Sequence, residues 1–381
     1  MATAPGRTVE LTREQVLAHR VAVHGLVERA ARPTEVPVLA LGVQDTPPGS
    51  LRVALSARLA EPLGPGADLT GSGAFTLVWS HRGAPHLHPT AELDRVAAAC
   101  RPRDDADAAA RLGWQRARMA EAGAAPLAAY REVADAVHAV LQRPLTKAEL
   151  SAAVTARVSP ALSPLCRPCG THHVFEQLLR LAALAGGACL LPDSKPLVIA
   201  PLPARPAADA GADTSGVQAE YLRFHGPATD ADVAGFLGTN RAAVRPCRPT
   251  GLVAVRVDGR PAEVPEDLID TLRAAAVSEV VRLLPPSDPL LQGRDREVLV
   301  PGPAHRKALW AALGSPGALL CGAEIAGIWR PRKRGRALEL QVEPFRPLGA
   351  AERAGLAAEA ERLAVVRGVR DVSVTGPSSA L

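Results

Sequence analysis

Two segments of the chain run through the same order of elements, and that order constrains the fold more than any other feature. In the first, Thr146 and Glu149 stand in capping-box spacing within PLTKAELSAAVTARV. The run after them is apolar with helical periodicity, which predicts a helix. HVFEQLLRLAALAGG comes next as a second helix ending at Gly186-Gly187, and ACLLPDSKPLVIA reads as two short strands around a turn. In the second segment, GPATDADVAGFLGTNRAAV carries Thr229 with Asp232, a short helix, Gly238 and the start of another helix. LVAVRVDGRPAEV then sets Asp258-Gly259 as a hairpin turn between alternating apolar runs. Helix, helix, hairpin is the order of a winged helix. A Pro/Ala/Gly-rich linker, PLPARPAADAGADTSG, separates the two occurrences.

The flanking regions fill out the plan. LTREQVLAHRVAVHGLVERA has Thr12 and Gln15 in capping-box spacing and predicts a helix that runs on until Pro33 and Pro37 break it. Ser50 to Leu59 reads as a second helix with Ser50 as its N-cap. FTLVWSHRGAPHLH reads as a strand and turn, PTAELDRVAAAC as a helix capped by Thr90, and RDDADAAARLGW as helical or loose. From Ser278 the chain offers short strands, EVLV, AEIAGIWR and ALELQVEPF, before a closing helix, AERAGLAAEAERLAVV. The expected class is α+β: tandem winged-helix (helix-turn-helix) domains with a small β-rich, barrel-like C-terminal part. The expected domains span 1–140, 141–218, 219–282 and 283–381.

With 381 residues and 47% hydrophobic residues, the chain can bury cores of Ala, Leu and Val. Aromatics make up only 3%, which works against a base-stacking pocket. A net charge of +5 permits nucleic acid as a partner. MATAPGRTVELTREQ lacks a charged region followed by an apolar run, so no signal peptide is expected. No apolar stretch is long enough to span a membrane, and six cysteines in a long chain do not read as a disulfide framework. The expected location is cytoplasmic.

Four motifs carry chemistry. WRPRKRGRALEL crowds Arg330, Arg332, Lys333, Arg334 and Arg336 around Gly335. A cationic turn between strands can grip phosphates, although such charge runs also serve as solvated turns. In VLALGVQDTPPG, Gln44, Asp45 and Thr46 interrupt an apolar run. Gln44 can hold a water or a base edge but cannot take a proton. Asp45 can act as a general base or stabilise a cationic sugar, or simply serve as a capping or turn residue. CRPCGTHH offers zinc-type ligands in Cys166 and Cys169, with His172 and His173 close behind, but lacks finger spacing or a second C-x-x-C. In HRGAPHLH, Arg82 and His86 flank a Gly-Ala-Pro turn; His86 is either a satisfied residue at a strand end or a contact to phosphate or a flipped nucleotide. There is no P-loop, dinucleotide fingerprint or nucleophile elbow, and no cofactor is expected.

Taken in order, these pieces resemble the winged-helix family of the AlkZ/YcaQ-type bacterial DNA glycosylases. LTREQVLAHRVAVHGL is similar to the family's opening helix and LGVQDTPPGSLRVALSARL to its signature region. LVWSHRGAPHLHPTAEL resembles its strand and Arg-Gly-Thr-x-His turn, with Ala84 in place of Thr. YLRFHGPATDADVAGFLG resembles its later helix-turn-helix, and LLPPSDPLLQGRDRE, PAHRKALW and GIWRPRKRG its C-terminal segments. The resemblance implies tandem winged helices forming a concave basic surface. It also implies hydrolysis of the N-glycosidic bond of alkylated purines by a monofunctional glycosylase. Active groups carry Gln, an apolar residue, then Gln or Asp. Here Gln44 matches the first position, Asp45 occupies the apolar one and Thr46 replaces the second functional side chain.

Two functions are then open. One is a glycosylase with Gln44 positioning water and Asp45 and Thr46 beside it. The other is a non-catalytic winged-helix protein for damage recognition or regulation. Both take double-stranded DNA as partner, alkylated in the first case, and both expect a monomer with no membrane contact.

Overall fold

The computed structural model describes residues 9–207, 211–335 and 337–377. They form an α+β fold that divides into two compact units. The first is drawn from Met1–Asp68, Glu220–Asp232 and Pro249–Leu381, the second from Leu69–Ala219 and Val233–Arg248. Among the described residues no helix is long and apolar enough to cross a membrane.

The first unit holds two sheets. Strand Val9–Leu11 runs parallel to Leu252–Val257, which turns at Asp258-Gly259 into Arg260–Pro265. Helix Arg13–Val23 begins with both halves of the Thr12/Gln15 capping box in place. Its Val16, Leu17 and Val21 join Val255, Val264 and Leu272 in one apolar core. The second sheet orders Val281–Leu284, Gly317–Cys321, Glu324–Arg334 and Ala337–Pro344 antiparallel, then adds Asp371–Thr375 parallel at its edge. A parallel neighbour needs a crossover, and helix Ala350–Arg367 supplies it. That helix buries Leu356, Ala360 and Leu363 against Leu283, Leu319 and Leu340.

In the second unit the strands follow the order Pro85–Pro89, Phe75–Trp79, Ala188–Leu190, Val198–Pro201, Leu145–Thr146. Helices Lys147–Thr155 and Glu176–Ala183 precede the hairpin of Ala188–Leu190 and Val198–Pro201, as the periodicity predicts. The Thr146/Glu149 capping box is formed. Helix Leu93–Cys100 lays Val96 and Ala97 against Val78 and Leu184.

Several local expectations are corrected. The first helix stops at Val23, well before the prolines, because Gly25 takes a positive φ of 69° that helical backbone excludes. EVLV is not a strand: Arg296–Leu299 is a short helix with Val298 and Leu299 buried. A four-residue stretch with three apolar positions has too few repeats to separate the two periods. Thr90 caps nothing; its hydroxyl bonds that of Thr76 at 2.8 Å, and a turn of 3-10 helix at Thr90–Glu92 leads into the α-helix instead. Ser50 is not an N-cap either. It is the first residue of helix Ser50–Ser56, with Gly49 before it.

Candidate active site

The segment around Gln44 lies wholly in the first unit. Two turns of 3-10 helix, Pro33–Glu35 and Pro37–Ala40, bring in a run that buries Val38, Leu39, Leu41 and Val43. Extended backbone at Val43–Gln44 sends successive side chains to opposite faces. Val43 therefore points into the core, and Gln44 emerges half-buried. The apolar anchor fixes which way the amide can face.

Asp45 performs the capping that sequence assigns to Ser50. Its Oδ1 accepts the Gly49 amide at 2.8 Å and the Leu51 amide at 3.0 Å. Those N–H groups have no partner inside the helix, and a carboxylate also meets the positive end of the helix dipole. Arg367, from the long closing helix, adds a positive charge near Asp45. A residue outside the four-residue window of an ordinary cap thus starts helix Ser50–Ser56. Asp45→Ala is expected to lower stability by about 1–2 kcal/mol, and Asp45→Asn, which keeps the oxygen acceptor, by clearly less. Urea midpoints of the two variants check this; equal losses would mean that charge, not the cap, matters.

The other end of the loop is held by a clamp. Ser287 accepts a hydrogen bond from Gln44 Nε2 at 3.4 Å and donates to the Thr46 carbonyl. Its neighbour Asp288 is fully buried and meets the equally buried Arg58 through two bonds of 2.8 Å. The Arg58 guanidinium also donates to the carbonyls of His24 at 2.7 Å and Ala54 at 2.8 Å. Asp288 takes the Leu290 amide at 2.9 Å. Both charges of the pair are therefore matched, which a buried ion pair requires. Helix Ser50–Ser56 connects the two devices, since Asp45 caps its start and Arg58 lies just past its end. Gln44, Asp45 and Thr46 come together as one braced polar loop, and Thr46 contributes its carbonyl while its residue is exposed.

A family model described as DNA glycosylase AlkZ-like matches residues 39–366, a span that begins just before this loop. The chain belongs to the AlkZ-like DNA glycosylase family. Among solved structures, the Streptomyces sahachiroi DNA glycosylase AlkZ is similar, with a TM-score of 0.72 and 22% identity. The match covers 97% of this chain and 100% of that one. At that identity the likeness shows the fold. No curated protein matches the chain.

The remaining sequence-predicted residues of this AlkZ-like chain lie elsewhere. In the first unit, Arg330 and Arg332 are exposed on the strand Glu324–Arg334, which turns at Gly335 into Ala337–Pro344. Arg332 pairs across the ladder with Glu339. Lys333 and Arg334 continue that strand, but their side chains, and the whole of Arg336, lie outside the described residues. Trp329, the indole nearest this turn, is buried and donates to the Leu284 carbonyl at 2.9 Å.

Arg82 and His86 belong to the second unit. Arg82 has φ of 61°, donates to the Phe236 carbonyl and sets its guanidinium 5.2 Å from the Phe236 ring centre. His86 is buried, with Nδ1 near the Ser80 hydroxyl at 3.0 Å and the Ala84 carbonyl at 2.9 Å. His81 and His88 complete an interior cluster of imidazoles, and Ser80 bridges His86 and His88.

Burial pushes all three imidazoles well down, His88 to about 3. Above pH 6.5 the unfolded chain holds these rings neutral too, and they contribute nothing to the pH dependence. Below it the unfolded chain takes up protons that the folded ring refuses, so stability falls as pH drops toward 3. For His88 alone the loss between pH 7 and pH 5 is about 2 kcal/mol. Denaturant midpoints at the two pH values, for the natural chain and His88→Gln, check it: the variant should lose less stability on acidification.

Cys166 and Cys169 stand in a short hairpin of the second unit, where His173 approaches both sulfurs. Sequence reading missed Ser287, Asp288 and Arg58, although Ser287 and Asp288 sit in the family-like segment LLPPSDPLLQ. The signal that could have found them was a lone Arg and a lone Asp in strongly apolar surroundings, which asks for a buried partner.

Proposed function

We propose that this protein is a monofunctional DNA glycosylase acting on alkylated purines. Gln44 is its water-positioning residue. The observation that supports this most is the braced loop. A side-chain amide at the family's first signature position is presented half-buried between a capped helix and a buried ion pair.

Hydrolysis breaks the bond between sugar C1′ and the purine nitrogen. The electron pair leaves with the base, the sugar becomes oxocarbenium-like, and water oxygen adds to C1′ while one of its protons passes to solvent. A purine alkylated at N7 already carries positive charge and departs neutral, so strong acid assistance is unnecessary. The protein's task is to hold water and favour the developing cation, which a preorganised amide and a nearby carboxylate can do. In this reading Asp45 keeps the loop in place and supplies negative charge, and the Thr46 backbone anchors the far side.

DNA is held by phosphate contacts. The exposed Arg330 and Arg332 offer such contacts on their hairpin, and segments 141–218 and 219–282 act as winged-helix modules. The test is release of free base from a duplex containing N7-alkylguanine. Binding without release would favour the second reading, a non-catalytic damage-recognition protein. That reading draws on two observations: Asp45 Oδ1 already serves two backbone amides, and Thr46 stands where the resemblance puts the second functional side chain.

A further inference from the structure

The CRPCGTHH segment has no part in the glycosylase reading, yet its geometry is specific. Strands Leu165–Cys166 and Thr171–His172 pair antiparallel, with Cys166 opposite Thr171. The turn between them closes by the Gly170 amide on the Cys166 carbonyl at 2.8 Å, with Gly170 at a φ of 65°. Such a tight knuckle turns the second cysteine back toward the first. His173 comes just after the hairpin, and the ligand atoms of Cys166, Cys169 and His173 all lie within 4.8 Å of one another. Among the described residues this is the one such cluster with metal-ligand spacing.

Two further observations set the donors. His173 Nδ1 bonds the Val174 carbonyl at 2.8 Å, which leaves Nε2 as the nitrogen to face the sulfurs. Ligating histidines are oriented in this way by a carbonyl on the other nitrogen. Next, Cys166 is half-buried and Cys169 exposed, so an ion from solvent can reach both sulfurs. His172, whose Nδ1 bonds the Ser163 carbonyl at 2.9 Å, falls outside this cluster.

We propose that Cys166, Cys169 and His173 bind a zinc ion, with solvent in the fourth tetrahedral position. Two thiolates and an imidazole form a borderline-soft set that suits zinc over magnesium or calcium. Glu176 is engaged elsewhere, paired with Lys147 and Arg180 at 2.6 Å, so it is not the fourth donor. Binding displaces the protons of both thiols to solvent. The ion ties the hairpin to the start of helix Glu176–Ala183, which His173 precedes by three residues.

The test uses untagged full-length protein purified under reducing conditions from zinc-supplemented culture. Elemental analysis should give about one zinc per chain. The double substitution Cys166→Ser/Cys169→Ser should lower that at least ten-fold, and His173→Ala should do likewise. His172→Ala should retain the metal. Cobalt added to stripped protein should give visible ligand-field bands and a near-ultraviolet thiolate charge-transfer band. Zinc in the natural chain no higher than in the double variant would overturn the proposal. So would cobalt without those bands, a Cys166–Cys169 disulfide in the purified protein, or equal metal loss from His172→Ala and His173→Ala. Should the double variant fail to fold, the two histidine variants still decide.

Discussion

Gln44→Ala is expected to slow base release from an N7-alkylguanine duplex about 10²-fold, an effect near 2.7 kcal/mol in the transition state. The fold should hardly notice. The side chain is half-buried, and its bond to Ser287 is long at 3.4 Å, so losing that bond costs well under 1 kcal/mol of stability. The neighbouring anchors do not depend on it: Asp45 keeps its two amides, and Ser287 keeps the Thr46 carbonyl. Single-turnover release and a urea midpoint, measured on the same preparation, separate chemistry from folding. If release persists at the natural rate with Gln44 gone, the amide is not the water-positioning group. A loss of release with an equal loss of stability would mean that the side chain acts through the loop alone.

Arg58→Ala is expected to cost about 3–5 kcal/mol of stability. The substitution leaves the Asp288 carboxylate buried with the Leu290 amide as its remaining described donor. It also strips donors from the carbonyls of His24 and Ala54. The double change Arg58→Met/Asp288→Leu should recover part of the loss, because it removes both charges together. Chemical denaturation of the three variants gives the coupling directly. A loss below about 1 kcal/mol for Arg58→Ala would mean that water reaches the pair and that Ser287 is not held by it. The link to function is positional: Ser287 precedes Asp288 and touches both Gln44 and Thr46, so loosening the pair should also impair base release.

How much of this was legible beforehand depended on the range of the interactions. The capping boxes at Thr12 and Thr146 lie within three residues of their partners, and both formed as read. So did the Asp258-Gly259 hairpin, whose turn chemistry is local. The Ser50 cap failed because a competitor five residues upstream, Asp45, reached the same helix through a proline turn. Among the site residues, the order of motifs placed Gln44 in its family. Nothing nearby in sequence revealed that Ser287, 243 positions away, would meet its amide. Likewise CRPCGTHH displayed two histidines with equal claims, and only their folded positions relative to the two sulfurs chose His173 over His172.

By itself, the sequence determined the mixed α+β class, the helix-helix-hairpin order, the family and the position of the signature amide. The class and the element order rest on periodicity, capping and turn chemistry, which act over a few residues and are written in neighbouring letters, while the family and the signature amide rest on the resemblance of several motifs in order. Tertiary structure alone decided that Asp45 is tied to a helix start, that Arg58 and Asp288 neutralise each other in the interior, and that His86 lies buried among imidazoles. Each of those outcomes comes from removing charge or polarity from water, and the partner that makes such removal tolerable is set by packing, not by proximity along the chain.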